Sequence, residues 1–350
     1  MAARAGTRDE ADFRDRPGKR GSRPRTKRRP DHEDAQTGFV TGVDRGRYAL
    51  LVGPDRHPVV AMKASELRRD RVVCGDRVDV VGNVTGDEGT LARIVRIQER
   101  TSVLRRTADD TDPFERIIVA NADQLVIVTA LAEPEPRTRM IDRCVVAAYD
   151  AGMRVVLCLT KADLADPAPL RAMYEPLGVD VLVTRRDGSG DGVGPLDPVR
   201  ERLHGALSVL VGHSGVGKST LVNALVPDAL RATGHVNAVT GRGRQTSTSA
   251  VALPLPDDGG WIVDTPGVRS FGLAHVEVEH LLGAFEDLAE VARDCPRGCT
   301  HADGAPDCAL DDWVAAGADV PADAGPASRE FRAVRVESFR RVLGARTATV

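Results

Sequence analysis

Gly212-His213-Ser214-Gly215-Val216-Gly217-Lys218-Ser219 is the stretch from which the rest of this chain is best read. It matches G-x-x-x-x-G-K-[ST], and it sits where that pattern works: directly after an apolar strand at residues 207–211 and at the start of a helix at 219–225. Glycines let successive backbone N–H groups close around phosphate oxygens at a helix N-terminus. Lys218 is placed to reach the β- and γ-phosphates and Ser219 to ligate Mg²⁺, with Thr220 completing the nucleotide-binding set. A loop of this kind implies a parallel sheet covered by helices.

The flanking text agrees. Residues 125–129 read as a buried strand, 141–149 as an amphipathic helix, 155–159 as a second strand, 170–177 as a helix and 179–183 as a third strand. Residues 261–263 add one more strand after the phosphate loop. This alternation predicts a largely parallel sheet with helices on its faces.

Two further motifs end strands of that sheet. Asp264-Thr265-Pro266-Gly267 puts a carboxylate where it can hold Mg²⁺ through water, and a Gly267 N–H where it can sense a γ-phosphate. Thr160-Lys161-Ala162-Asp163 resembles the guanine-reading [NT]-K-x-D motif of GTPases. There the Asp accepts from the ring N–H and exocyclic amine, and the Lys stem packs on the base. In ordinary GTPases that motif follows the phosphate loop and DxxG; here it precedes both, so the domain reads as circularly permuted. Termini that lie close in space allow such a permutation without altering the site.

Cys295-x₃-Cys299-x-His301-x₆-Cys308 offers three thiolates and one imidazole, a donor set suited to a closed tetrahedral Zn²⁺ site. Toward the other end, residues 38–97 read as five short strands with Gly-rich corners, which suits an OB-like barrel; an SH3-like barrel would give similar text. Residues 1–36 are Arg, Pro, Gly and Asp with almost no apolar content and are expected to be disordered. The expected organisation is therefore multidomain α/β. It comprises a basic tail (1–36), an OB-like β-barrel (37–99), a circularly permuted P-loop GTPase domain (100–273) and a zinc-binding helical domain (274–350).

Composition narrows the function classes. No apolar run approaches the roughly 18 residues of a membrane-spanning helix, and the Arg-rich start lacks a signal-peptide core, which predicts a cytoplasmic protein. The net charge of −3 conceals eleven Arg or Lys against four acids in residues 1–30. Only five of 48 basic residues are Lys, a bias that suits phosphate binding and that a GC-rich genome also produces. Aromatics at 3% argue against a base-stacking platform. Basic clusters at Arg68, Arg69 and Arg71, and at Arg329, Arg332, Arg335, Arg340 and Arg341, are candidate docking surfaces or solvated faces.

Taken together, the barrel, the permuted motifs and the Cys₃His cluster resemble the RsgA family of ribosome small-subunit-dependent GTPases. Residues 118–123, Ile-Val-Ala-Asn-Ala-Asp, and 241–248, Gly-Arg-Gly-Arg-Gln-Thr-Ser-Thr, match as well, so the resemblance spans about 37–345. It implies GTP hydrolysis stimulated by the small ribosomal subunit late in that subunit's maturation. The implied partners are the subunit, its rRNA and GTP or GDP, with one Zn²⁺ per chain, Mg²⁺ with GTP, and a monomeric state. It also implies roles for the switch residues Gln245 and Thr246, Gln245 standing where the family usually has His. Two other departures are the metal-ligand spacing, one residue different on each side, and Thr184-Arg185-Arg186 where the base-contacting loop usually carries Ser-Ala. An RNA-binding assembly chaperone with GTP as a structural ligand, and a permuted GTPase of the large subunit, are the competing readings.

Overall fold

The computed structural model describes residues 32–67, 70–106, 116–186, 192–227, 250–265, 271, 273, 276–317, 326 and 328–347. Within them, short β-branched runs broken by Gly turns build the first layer: β1 (Gln36–Asp44), β2 (Arg47–Val52), β3 (His57–Lys63), β4 (Arg77–Gly82) and β5 (Ala92–Ile97). Their order is β1-β2-β3-β5-β4, with β4 returning to β1 and β3 parallel to β5. This closed five-stranded Greek-key path is the OB-like arrangement and removes the SH3 alternative. Inward residues Val40, Leu50, Val59, Val78 and Ile94 fill the barrel.

An antiparallel pair follows, β6 (Val103–Arg106) with β7 (Arg116–Ala120), in addition to the strands the sequence predicts. Then come β8 (Gln124–Ala130), α1 (Thr138–Asp150), β9 (Arg154–Thr160), α2 (Ala168–Tyr174) and β10 (Asp180–Val183). A small ribbon of β11 (Arg185–Arg186) and β12 (Val193–Gly194) leads to α3 (Asp197–Leu203) and β13 (Ala206–Gly212). Next are α4 (Lys218–Leu225), β14 (Val251–Pro254) and β15 (Gly260–Asp264). The strand order β10-β9-β8-β13-β15 is parallel throughout, as the alternation predicted.

β14 adds an antiparallel strand beside β15 and also pairs with β1 at Gly42 and Val251, so the barrel and the parallel sheet share one eleven-stranded sheet. A bulge between Val40 and Gly42 lets β1 bend from one layer into the other. The central strands are buried on both faces. In β8, Leu125 and Ile127 pack under α1, while Val126, Val128 and Ala130 pack under α3 and α4.

The C-terminal residues lie over the α1 face as α5 (Val278–Gly283), α6 (Glu286–Val291), α7 (Ala309–Ala315) and α8 (Arg329–Thr347). Phe285, fully buried, meets Tyr149 and Phe339 edge-on at ring distances of 5.3 and 5.5 Å and pins these helices to α1. Among the described residues no helix is long and apolar enough to cross a membrane.

Candidate nucleotide site and metal centre

The strands β9, β8, β13 and β15 run the same way, so Thr160, Ala130, Gly212 and Asp264 end at one edge of the sheet. Connections from β8 lead through β9 to β10 on one side, whereas β13 and β15 lie on the other. The gap between β8 and β13 is thus the point where strand order reverses, the general place for ligands in open α/β sheets.

The phosphate loop occupies that gap. A Cβ on Gly212 would stand 2.6 Å from the Val128 carbonyl oxygen, so only glycine lets β13 leave the sheet this close to β8. Gly217 caps α4 at φ +90°, a left-handed conformation that glycine adopts without steric cost. Val216 is buried and anchors the loop to the core below, leaving Ser214, Gly215, Ser219 and Thr220 exposed, with the His213 ring nitrogen 3.2 Å from the Ser214 carbonyl oxygen.

Neighbouring loops are tied to it by side chains. The Lys218 ammonium pairs with the Asp264 carboxylate. Thr160 Oγ1 donates to the Val216 carbonyl at 2.6 Å, tying the end of β9 to the phosphate loop. Thr265 Oγ1 donates to the Leu210 carbonyl at 2.8 Å, holding the turn after β15 against β13. Lys161 sits at φ +57° and its ammonium donates to the carbonyl of Glu133, itself at φ +49°. Two strained residues in contact at a strand edge mark a constrained site. The Glu133-Pro134 turn escaped sequence reading; two prolines after a fully buried strand were the available signal.

Asp163 is exposed, and its Oδ1 accepts the Arg186 backbone N–H at 3.1 Å. That hydrogen bond, with the Arg186 and Lys161 charges, holds its carboxyl below the usual carboxylate range. Thr184 is fully buried and its N–H bonds back to the Leu159 carbonyl at 2.8 Å. Arg185 and Arg186 are therefore the exposed members of that tripeptide. Ser219, in the first turn of α4, and Asp264, at the end of β15, are hard oxygen donors, a set that suits Mg²⁺. Gln245, Thr246 and Gly267 lie outside the described residues.

The cysteine cluster closes on itself as its spacing predicted. The ligand atoms of Cys295, Cys299, His301 and Cys308 all lie within 4.8 Å of one another. His301 Nδ1 is 3.6 Å from Cys295 Sγ and 3.9 Å from Cys308 Sγ, against edges of about 3.5–3.8 Å for a tetrahedron built on Zn–S and Zn–N bond lengths. Burial, reinforced by the neighbouring thiols, pushes Cys295 up to about 11, so metal binding must expel protons. Burial keeps His301 below the ordinary histidine value and hence neutral, ready to ligate. A soft S₃N set fits Zn²⁺.

Two further groups of residues are taken up in holding elements together. Asn121 and Asp123 lie at the amino end of β8, away from the phosphate loop. Asn121 joins the Gly75 carbonyl at 2.9 Å to the Thr101 N–H at 2.8 Å, and Asp123 accepts the Leu207 N–H at 2.7 Å. In the basic C-terminal helix, read from sequence as a docking surface or a solvated face, four of the five arginines have partners within the fold. Arg335 pairs with Asp287, Arg340 with Asp311 and Arg341 with buried Asp142, while Arg332 lies over the Trp313 ring at 5.0 Å. These four guanidiniums sit against the fold, on the side of α8 that packs onto it, whereas Arg329 at its start is exposed. Arg68 and Arg69 lie outside the described residues, and Arg71 is exposed.

Comparison with known proteins agrees with this geometry. The RsgA GTPase family profile matches residues 97–274. The small ribosomal subunit biogenesis GTPase RsgA of Chlorobaculum parvum is 33% identical over 278 residues, covering 76% of this chain and 88% of that protein. Its namesake from Pseudomonas fluorescens is 38% identical over 252 residues, 68% of this chain and 71% of the relative. The crystal structure of YjeQ from Thermotoga maritima aligns with a TM-score of 0.61 and 25% identity, over 89% of this chain and 99% of that one. YloQ, described as a circularly permuted GTPase, shares the fold at TM-score 0.59 over 92% of this chain and all of its own, with 22% identity.

Proposed function

The chain belongs to the RsgA GTPase family, and from that premise we propose that it hydrolyses GTP when docked on the small ribosomal subunit, late in that subunit's maturation. The observation that carries the reading is the meeting, at one strand-order reversal, of Lys218, Asp264, Thr160 and Asp163 from loops in permuted order. Relatives named as small-subunit biogenesis GTPases supply the partner. We assign the domains as 37–99, 100–273 and 274–350, and cytoplasmic work as a monomer.

Asp163 reads guanine by accepting its paired N–H donors, with Lys161 packing on the base and Thr160 holding this loop to the phosphate loop. The backbone from Gly212 to Gly217, with His213, Ser214, Gly215 and Val216 between, cradles the phosphates, and Thr220 extends this cradle into α4. On nucleotide binding Lys218 exchanges the Asp264 carboxylate for β- and γ-phosphate oxygens. Ser219 and Asp264 would hold Mg²⁺, which neutralises charge on the phosphates. Gly267 and Thr246 sense the γ-phosphate. Val268 follows Gly267 and its side chain cannot hydrogen-bond water, so the water-orienting group is assigned to Gln245, whose amide both accepts and donates. Cys295, Cys299, His301 and Cys308 hold one structural Zn²⁺.

For rRNA contact, the outward barrel face is favoured over α8: exposed Arg47 and Arg93 flank Met62 in one register row across β2, β3 and β5. Counterion release from such contacts makes docking salt-dependent. GTP turnover measured with purified small subunits, large subunits or neither tests the proposal. Stimulation by small subunits alone is expected; equal stimulation by large subunits, or none by either, overturns it.

A further inference from the structure

One guanidinium reaches the metal cluster from a different element. Arg340, midway along α8, has a side chain only 13% exposed. Its Nε donates to the His301 carbonyl at 3.1 Å, and its Nη2 lies 3.8 Å from Cys308 Sγ. The same plane holds Asp311 of α7 through Nη1 and Nη2 at 2.7 and 2.8 Å. A single rigid fork thus grips the backbone of one metal-binding residue and the sulfur of another. The carbonyl that it takes belongs to a residue at φ +53°, a conformation that needs outside support.

Charge points the same way. Three thiolates and a neutral imidazole around a divalent ion leave one negative charge on the centre. The carboxylates nearest Arg340 are Asp311, half exposed and directly paired with it, and Asp303, 98% exposed at 3.8 Å. The guanidinium faces the sulfur from the dry side. We propose that Arg340 is a positioning residue of the zinc centre, orienting His301 through its carbonyl and stabilising the Cys308 thiolate by a charge-assisted hydrogen bond. The inference rests on the Cys₃His zinc reading. It makes α8 part of the metal site, and the next residue, Arg341, ties the same helix to Asp142 of α1.

The test uses the full chain purified with zinc, and the variants Arg340→Met and Arg340→Lys. Zinc transfer to excess chelator is followed with a metallochromic dye. Arg340→Met is expected to bind zinc about 10–100-fold more weakly, the range for loss of such an outer partner. Arg340→Lys keeps the charge but not the fork, and should fall between. In cobalt-substituted protein the thiolate-to-metal charge-transfer band should move to lower energy in Arg340→Met, since a sulfur without its hydrogen bond is a stronger donor, while the tetrahedral ligand-field bands stay in place. A purely structural arginine would lower the melting temperature and leave that band unmoved. Wild-type release with an unmoved band overturns the proposal. If Arg340→Met does not fold, wild-type release and an unmoved band in Arg340→Lys overturn it equally. Absence of zinc from the purified wild-type protein would instead remove the metal reading itself.

Discussion

The nucleotide site and the metal centre solve opposite problems of assembly. Cys295, Cys299, His301 and Cys308 come together within fourteen residues, and the loop needs only an ion and a helix to lean on. Thr160, Lys218 and Asp264 are far apart in sequence and meet only because four parallel strands end at one edge. A local site lives or dies by its ligands; a distributed one is carried by the sheet, which pays its ordering cost in packed apolar strands. The lesson is that losing one should barely disturb the other.

The largest expected effect is at the metal. Apparent binding energies of structural zinc run to about 10 kcal/mol or more, so Cys308→Ser should strip the ion and leave residues 274–350 open to protease. Under this comparison nucleotide affinity stays near wild type, as titration with a fluorescent GTP analogue would report. A matching collapse of nucleotide binding would show that the two regions are one unit.

Lys218→Ala comes next. Removing one preorganised electrostatic group typically costs about 10²–10³ in kcat. Subunit-stimulated turnover should fall by that much, with an unchanged melting curve and full zinc content. Normal turnover would mean that phosphate is handled elsewhere. Smaller again is Asp163→Asn, which leaves one guanine donor without its acceptor and should weaken GTP by about 1–3 kcal/mol while improving xanthosine nucleotides. Unchanged GTP affinity would break the assignment.

The smallest effect is at the switch. Gln245→Ala should lower stimulated turnover about tenfold, on the order of 1.4 kcal/mol, with GTP affinity preserved. Gln245→His should stay active above an imidazole pKa of about 6.5 and lose activity below it, where the ring can no longer accept from water. Wild-type rates in Gln245→Ala would hand the water to backbone or to rRNA.

What could be read in advance follows the same division. Motifs whose chemistry imposes spacing were legible: after residue 31 the chain has three lysines, and two of them are Lys161 and Lys218, kept where an arginine-rich composition would otherwise replace them. Buried strands announced themselves by unbroken apolar runs. β14 did not, being four residues long and ending in Pro254, and neither did half-polar β6. Long-range pairing left no local trace at all. Nothing in the text of α8 distinguishes Arg341, whose partner Asp142 lies 199 residues earlier, from a solvated charge. The Lys161 contact with Glu133 is equally silent, since it depends on two strand ends meeting.

The permuted order also sets a schedule. Asp264 follows Asp163 by 101 residues, so at synthesis rates of 5–20 residues per second the base-reading half precedes the end of the phosphate half by roughly 5–20 s. At its start only β8 and β9 have emerged; β10 and β13 follow within it, and β13 then waits for β15 along its free edge. GTP cannot reward folding until the last parallel strand arrives, so the nascent first half must hold itself together by the α1 and α2 packing alone.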